Sequence, residues 1–289
     1  MSTPGRAEPD VCITEFTDPG CPFAYSAEPF RRRLNWLYGE HLGWRTAMVG
    51  LAATTQEYLE KGYTAEKMAA SGRELAERYG MPIDARPKPY VAATVPACRA
   101  VIAARLHAPD RERHVLRRLR VRHFSGELLD APETIAAAAR DAGVDPGDLA
   151  RWAQGDDVSA ALAADMERAR QPILAARVLD EKLANWSGGR RYTCPSYEIV
   201  RRSDGVRIAV PGFQPFAVYD VILANLVPGL RRNEPPASVE EVLEWTGTPL
   251  ASREVAVVCD ISHEDARERL GRVAVEEHVG FDGFWTLAA

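Results

Sequence analysis

The spacing of apolar positions changes twice along the chain. Val11–Phe16 (VCITEF) is a short apolar and β-branched run closed by Asp18-Pro19-Gly20, and it reads as a strand covered on both faces. Leu42–Leu51 (LGWRTAMVGL) reads as a second strand. From Thr54 to Asn185 the pattern turns helical, with Ala-rich amphipathic runs at Ala65–Tyr79, Val95–His107, Arg111–Phe124, Pro132–Ala142, Pro146–Trp152 and Val158–Leu183. Breaks fall at Gly80-Met81-Pro82, Pro87–Pro89, Ala108-Pro109-Asp110 and Gly143–Asp145. Strand spacing then returns: Cys194–Arg201, a Ser203-Asp204-Gly205 turn and Val206–Val210 predict a hairpin, and Phe216–Leu226 a closing helix. Beyond a linker at Pro228–Ala237, helices are predicted at Ser238–Trp245, Ser252–Val258 and His263–Val273. Val275–Leu287 folds back at Gly280–Gly283, so three helices and a two-stranded wing are expected.

The chemistry concentrates where the first strand meets the first helix. Pro22 is tolerated in the first turn of a helix, which sets Cys21 beside unpaired backbone N–H groups and the positive end of a helix dipole. Both favour the thiolate, the reactive form of cysteine. The bland alternative, a small inert apolar residue, fits a cysteine in this position poorly. Tyr25 and Ser26 follow on the same helix and could donate to a substrate or bound thiol, or simply pack. Phe23 and Tyr63 could line an apolar cleft or belong to the core. Arg111–His123 (RERHVLRRLRVRH) reads as the outer face of a helix.

A strand followed by Cys-Pro-aromatic at a helix start resembles the thioredoxin-like fold, and specifically the DsbA/FrnE family of thiol–disulfide oxidoreductases. The helical block resembles that family too, through Leu116–Ile135 and Asp141–Asp145, as does Pro211-Gly212-Phe213-Gln214-Pro215 before the closing helix. This resemblance covers roughly residues 10–230 and implies an α/β fold, a thioredoxin-like sheet with an inserted all-helical domain; beyond it, the three helices and two-stranded wing resemble a small winged-helix-like C-terminal domain. The expected bounds are residues 10–53 and 189–230 for the two thioredoxin-like halves, 54–188 for the insertion and 238–289 for the C-terminal domain. The resemblance also implies catalytic roles for Cys21, for Glu15 as a buried acid beneath it, and for Thr193-Cys194-Pro195 as a facing cis-proline loop. Cys194 is either the resolving thiol or a small filler. Pro22, Phe23, Tyr25, Ser26, Arg190, Arg191 and Thr193 are the expected substrate- or thiol-binding residues. The chain departs from the family's Cys-x-x-Cys, carrying Cys21-Pro22-Phe23-Ala24 instead. That implies a single-cysteine oxidoreductase working through a mixed disulfide with a protein or small-molecule thiol or disulfide. No cofactor is required, and glutathione or mycothiol is the thiol implied where one is used. Two alternatives stay open: a thiol-dependent isomerase or transferase of the kappa/hydroxychromene-carboxylate type, and a non-catalytic binding paralogue.

Composition narrows this picture. Hydrophobic residues make up 46% and charged residues 27%, as in ordinary globular domains. A net charge of −5 makes no general case for nucleic acid or an anionic membrane as partner. The opening MSTPGRAEPD lacks the apolar core of an export signal, so a cytoplasmic location is expected. Ser238–Ala289 carries eleven acidic and four basic residues, a net of −7, which argues against DNA as the partner of a winged-helix-like domain. Five scattered cysteines and six histidines show no metal-ligand spacing. Oligomeric state is left open, a homodimer included.

Overall fold

The computed structural model describes residues 8–288; residues 1–7, which carry most of the stretch read for an export signal, lie outside it. Strands β1 (Val11–Thr17) and β2 (Leu42–Met48) pair in parallel, with Val11 opposite Leu42. A short hairpin, β3 (Ala184–Trp186) and β4 (Gly189–Arg191), stands apart as its own two-stranded sheet. Strands β5 (Ser196–Arg201) and β6 (Arg207–Val210) complete the main sheet, whose order is β2-β1-β5-β6 with β5 antiparallel to both neighbours. Alternation along β1 divides its side chains. Val11 and Ile13 enter one apolar cluster with Leu34 and Leu37, whereas Phe16 enters another with Cys21 and Cys194.

Helices α1 (Pro22–Ser26) and α2 (Glu28–Tyr38) join β1 to β2. The insertion then holds α3 (Thr55–Glu60), α4 (Ala65–Tyr79), α5 (Val95–His107), α6 (Glu112–Phe124), α7 (Pro132–Asp141), α8 (Pro146–Trp152), α9 (Asp156–Ala169) and α10 (Leu174–Arg177). Helix α5 is its axis: Ala97, Cys98 and Ala100–Ala104 have no exposed surface. A helix apolar on every side must be surrounded, and α5 shares one core with Leu116, Leu119, Ala138, Leu149 and Val158. The helix expected over Val158–Leu183 ends instead at Ala169, because Pro172 lacks an N–H and disfavours helix in the residue before it.

Helix α11 (Phe216–Leu226) closes the thioredoxin-like part. The C-terminal unit runs α12 (Val239–Thr246), β7 (Leu250–Ala251), α13 (Ser252–Cys259), α14 (His263–Val273), β8 (Ala274–Val279) and β9 (Asp282–Leu287). Its antiparallel sheet has the order β7-β9-β8, a winged-helix-like arrangement with one strand more than the expected wing. No helix among the described residues is long and apolar enough to cross a membrane.

The basic run on α6 does not paint an outer face. Arg120 has no exposed surface, and its guanidinium donates to Glu28 of α2 and Thr17 of β1. Arg113 Nη2 donates to the other oxygen of Glu28 at 2.6 Å. Arg117 Nη2 donates to Glu254 Oε2 of α13 at 2.5 Å, while Arg32 Nε donates to Glu254 Oε1 at 2.6 Å. Three helices and a strand thus meet around paired charges, because a buried ion is tolerated only with partners.

Glu254 is fully buried and joins α2, α6 and α13. Glu254→Ala leaves Arg32 and Arg117 uncompensated, and a loss on the order of 3–5 kcal/mol is expected in urea unfolding. Glu15 and Glu28 supply a second check. Burial would raise both carboxyls, but the guanidiniums of Arg113, Arg31 and Arg120 around Glu15, and of Arg113 and Arg120 around Glu28, hold both below the usual range. Their contribution is therefore complete above the unfolded glutamate value of ~4.3 and is lost as pH falls through the lower folded values. Unfolding followed between pH 5 and pH 2 should show stability dropping across that window, with less drop in Glu28→Gln.

Candidate active site

Cys21 is the residue just before α1, with extended backbone and only 6% exposure. In the protonated form its Sγ–H donates to the Cys194 carbonyl oxygen at 3.2 Å. The Cys194 side chain and the backbone amides of Ala24 and Phe23 favour the charged form of Cys21. These contacts divide the proton unequally. The Cys194 thiol as donor, aided by the two amides, lowers the pKa of Cys21 against the opposing effect of burial. Burial pushes Cys194 well above the ordinary thiol value, and its bond to Cys21 adds to that. The Cys194–Pro195 peptide is cis. Both sulfurs are free.

The acid that bears on Cys21 is Asp18, not Glu15. Glu15 lies on the opposite face of β1, where Arg31 Nη1 donates to it at 2.6 Å and Arg113 and Arg120 stand at 3.5 Å. The expected place beneath the cysteine is filled by Phe16, which stacks on Tyr192 at 4.1 Å between ring centres. Asp18 has no exposed surface. Its Oδ1 accepts from the Gly20 amide at 2.9 Å, and its Oδ2 accepts from the Leu51 amide and Thr94 hydroxyl, each at 2.9 Å, and from the Cys98 thiol at 3.5 Å. Burial raises its pKa despite those bonds. Gly20 is required here, because a Cβ would sit 2.6 Å from Thr94 Cγ2. Asp18 could have been found in the Asp-Pro-Gly run before the cysteine; Thr94 and Cys98 arrive from α5 and its approach, where nothing local marks them.

Cys21 opens into a cleft of about 850 Å³ whose lining includes Pro22, Phe23, Tyr58, Tyr63, Trp186 and Arg191. The other expected contacts are elsewhere. Tyr25 is buried, stacked on Phe124 at 4.4 Å and donating to the Pro82 carbonyl at 3.0 Å, and Ser26 is buried beside it in α1. The helix turns both inward, because the cleft takes only its first residues. Arg190 pairs with Asp180 at 2.9 Å, since neighbours on β4 point to opposite sides and Arg191 takes the cleft side. Thr193 faces Ser196 and the Lys182 carbonyl, each at 3.3 Å. The β3–β4 hairpin that carries Trp186 was hidden by the helical reading of its segment, although Ser187-Gly188-Gly189 is a turn signal.

A thioredoxin-like sheet, an inserted helical bundle and a cysteine at the start of the first helix define the scaffold of a thiol–disulfide oxidoreductase. Residues 12–173 match the DSBA-like thioredoxin domain family, and the chain belongs to that family. Two relatives, both ClpXP adapter proteins SpxH, are each 24% identical: that of Halalkalibacterium halodurans over 94% of this chain and 87% of its own, and that of Shouchella clausii over 92% and 83%. Among solved structures, a protein described as a disulfide isomerase from Nitrosomonas europaea superposes with a TM-score of 0.57 at 17% identity, over 75% of this chain and 98% of its own. The cytosolic disulfide reductase DsbM of Pseudomonas aeruginosa gives 0.52 at 17%, over 75% of this chain and 100% of its own. These structural likenesses speak to the fold.

Alkylation of Cys21 should reach half its limiting rate below the ~8.5 of an ordinary thiol, with Cys194 reacting only well above it. Asp18→Asn is expected to move the Cys21 midpoint lower still, since removing a nearby negative charge favours the thiolate. A Cys21 midpoint at or above ~8.5 contradicts the proton assignment.

Proposed function

We propose that the protein exchanges thiols and disulfides at Cys21 in the cytoplasm, with Cys194 as its second thiol. One observation carries the reading: Cys21 lines an open cleft and its sulfur lies 3.2 Å from the backbone of Cys194, at the cis Cys194–Pro195 peptide. The Cys21 thiolate attacks one sulfur of a substrate disulfide, forms a mixed disulfide and releases the other half as a thiolate. Cys194 then gives up its proton and attacks the Cys21 sulfur. The remaining half of the substrate leaves as a thiol, and the two cysteines are joined. The substrate gains two electrons, and two equivalents of a low-molecular-weight thiol return the pair to its reduced state. Asp18 acts as a positioning residue for the Gly20-Cys21 turn, and Phe23, Trp186 and Arg191 meet the substrate.

A second reading, delivery of a protein partner, is favoured by the extent of the adapter relatives. They match 94% and 92% of the chain, a span that must include most of the C-terminal unit, whereas the disulfide enzymes match about 75%.

The two readings part in a turnover assay with a mixed peptide–glutathione disulfide. Cys21→Ser should abolish thiol release. Cys194→Ser should slow it at least tenfold and accumulate an adduct on Cys21, and the oxidised wild type should yield a linked Cys21–Cys194 peptide pair. Equal turnover by wild type and Cys21→Ser would leave the adapter reading standing.

A further inference from the structure

Where α2, α6 and the turn after α12 meet there is a cavity of about 290 Å³, lined by Arg32, Arg113, His114, Arg117, Arg118 and Trp245 among others. It is separate from the Cys21 cleft and close to the lower end of small-molecule sites, roughly 300 Å³. Six guanidiniums gather on and behind its walls: Arg31, Arg32, Arg113, Arg117, Arg118 and Arg120. Three carboxylates, Glu15, Glu28 and Glu254, pair with them. Six against three leaves a surplus of three positive charges, in a chain whose formal net charge is −5.

Of these arginines, Arg117 has a nitrogen without an acceptor and Arg118 has no ion-pair partner among the described residues. Arg117 is 7% exposed, and while its Nη2 serves Glu254, its buried Nη1 has no hydrogen-bond partner. Arg118 is half-buried, and among the described residues it forms no ion pair with any carboxylate. Glu28, which also lines the cavity, already has one oxygen on Arg113 and the other on Arg120. The surplus positive charge is felt at His114, where desolvation and the surrounding Arg111, Arg118, Arg113 and Arg32 lower the pKa. A buried N–H without an acceptor is costly, and guanidinium forks match the oxygens of phosphate.

We propose that this cavity binds a small anion carrying phosphate groups. A surplus of three charges suits a multiply charged group better than a single carboxylate. Trp245 stands at the rim, 44% exposed and held edge-on against Trp36 at 5.1 Å, and offers a flat surface to a base or other planar group. The ligand would bridge α2 and α6 to the C-terminal unit and so favour the docked state.

The test uses the full chain in a low-salt, chloride-poor buffer, titrated calorimetrically with inorganic pyrophosphate and with ADP. One saturable site per chain is expected, with a Tm that rises with ligand concentration. Arg118→Gln, which breaks no ion pair, should weaken binding at least tenfold while leaving the Cys21 alkylation rate unchanged. Arg118→Lys should fall between the two. Tighter binding of ADP than of pyrophosphate identifies a nucleotide site, and equal binding identifies the phosphates alone as what is recognised. Absence of saturable binding would overturn the proposal, as would affinity indifferent to Arg118→Gln. An equal Tm rise with sulfate at matched ionic strength would also overturn it, and so would Arg118-dependent binding confined to a phosphopeptide or RNA.

Discussion

Arg120 has no contact with water, and its guanidinium joins Glu28 on α2 to Thr17 at the end of β1. The rest of the molecule is arranged around that fact. An ion taken out of water costs several kcal/mol unless other groups replace its solvation. The partners of α6 come from three places: β1 and α2 supply Thr17, Glu15 and Glu28, and α13 supplies Glu254. Apolar contacts alone would let the inserted bundle and the C-terminal unit slide against the sheet. Directed bonds to guanidinium forks permit one arrangement. One face of β1 carries Glu15 into this cluster, and on the other face Phe16 backs Cys21.

The sequence disclosed most of the frame, because period-two and helical spacing, turn residues and the Cys21-Pro22 junction are local signals. It also led to the pairing of Cys21 with the Cys194 loop, through family resemblance. What it concealed shares one cause: a side chain's direction depends on which element covers it. RERHVLRRLRVRH looks like a solvated face until α2 and α13 bring carboxylates to it. Glu15 has the spacing of an acid beneath the cysteine, yet the pleat sends it to the other side of the sheet. Asp18, three residues before Cys21, is the buried acid whose field bears on the thiol. Tyr25 and Arg190 are polar residues close to the site in sequence whose partners lie away from it.

The family's usual second cysteine position is occupied by Ala24, which is 2% exposed and packs in the cluster shared by Cys21 and Cys194. In the proposed exchange the partner sulfur comes instead from the loop that faces the helix. The cleft that results is bounded on one side by Phe23 and Tyr58 and on the other by Trp186 and Arg191. An incoming sulfur reaches Cys21 between aromatic surfaces from two separate parts of the chain.

Cys21 and Cys194 are 173 residues apart in sequence, with the whole helical insertion between them. Two thiols in a local motif stay neighbours even in an unfolded chain, so their affinity for each other is a property of a short peptide. Here the neighbourhood exists only while the sheet is assembled. Unfolding dilutes one sulfur relative to the other, as loop closure over so long a segment is entropically costly. In the proposed exchange, electron affinity at this site and conformational stability are therefore linked: loosening the fold would weaken the pair as an electron sink, and joining the pair would tighten the fold in return.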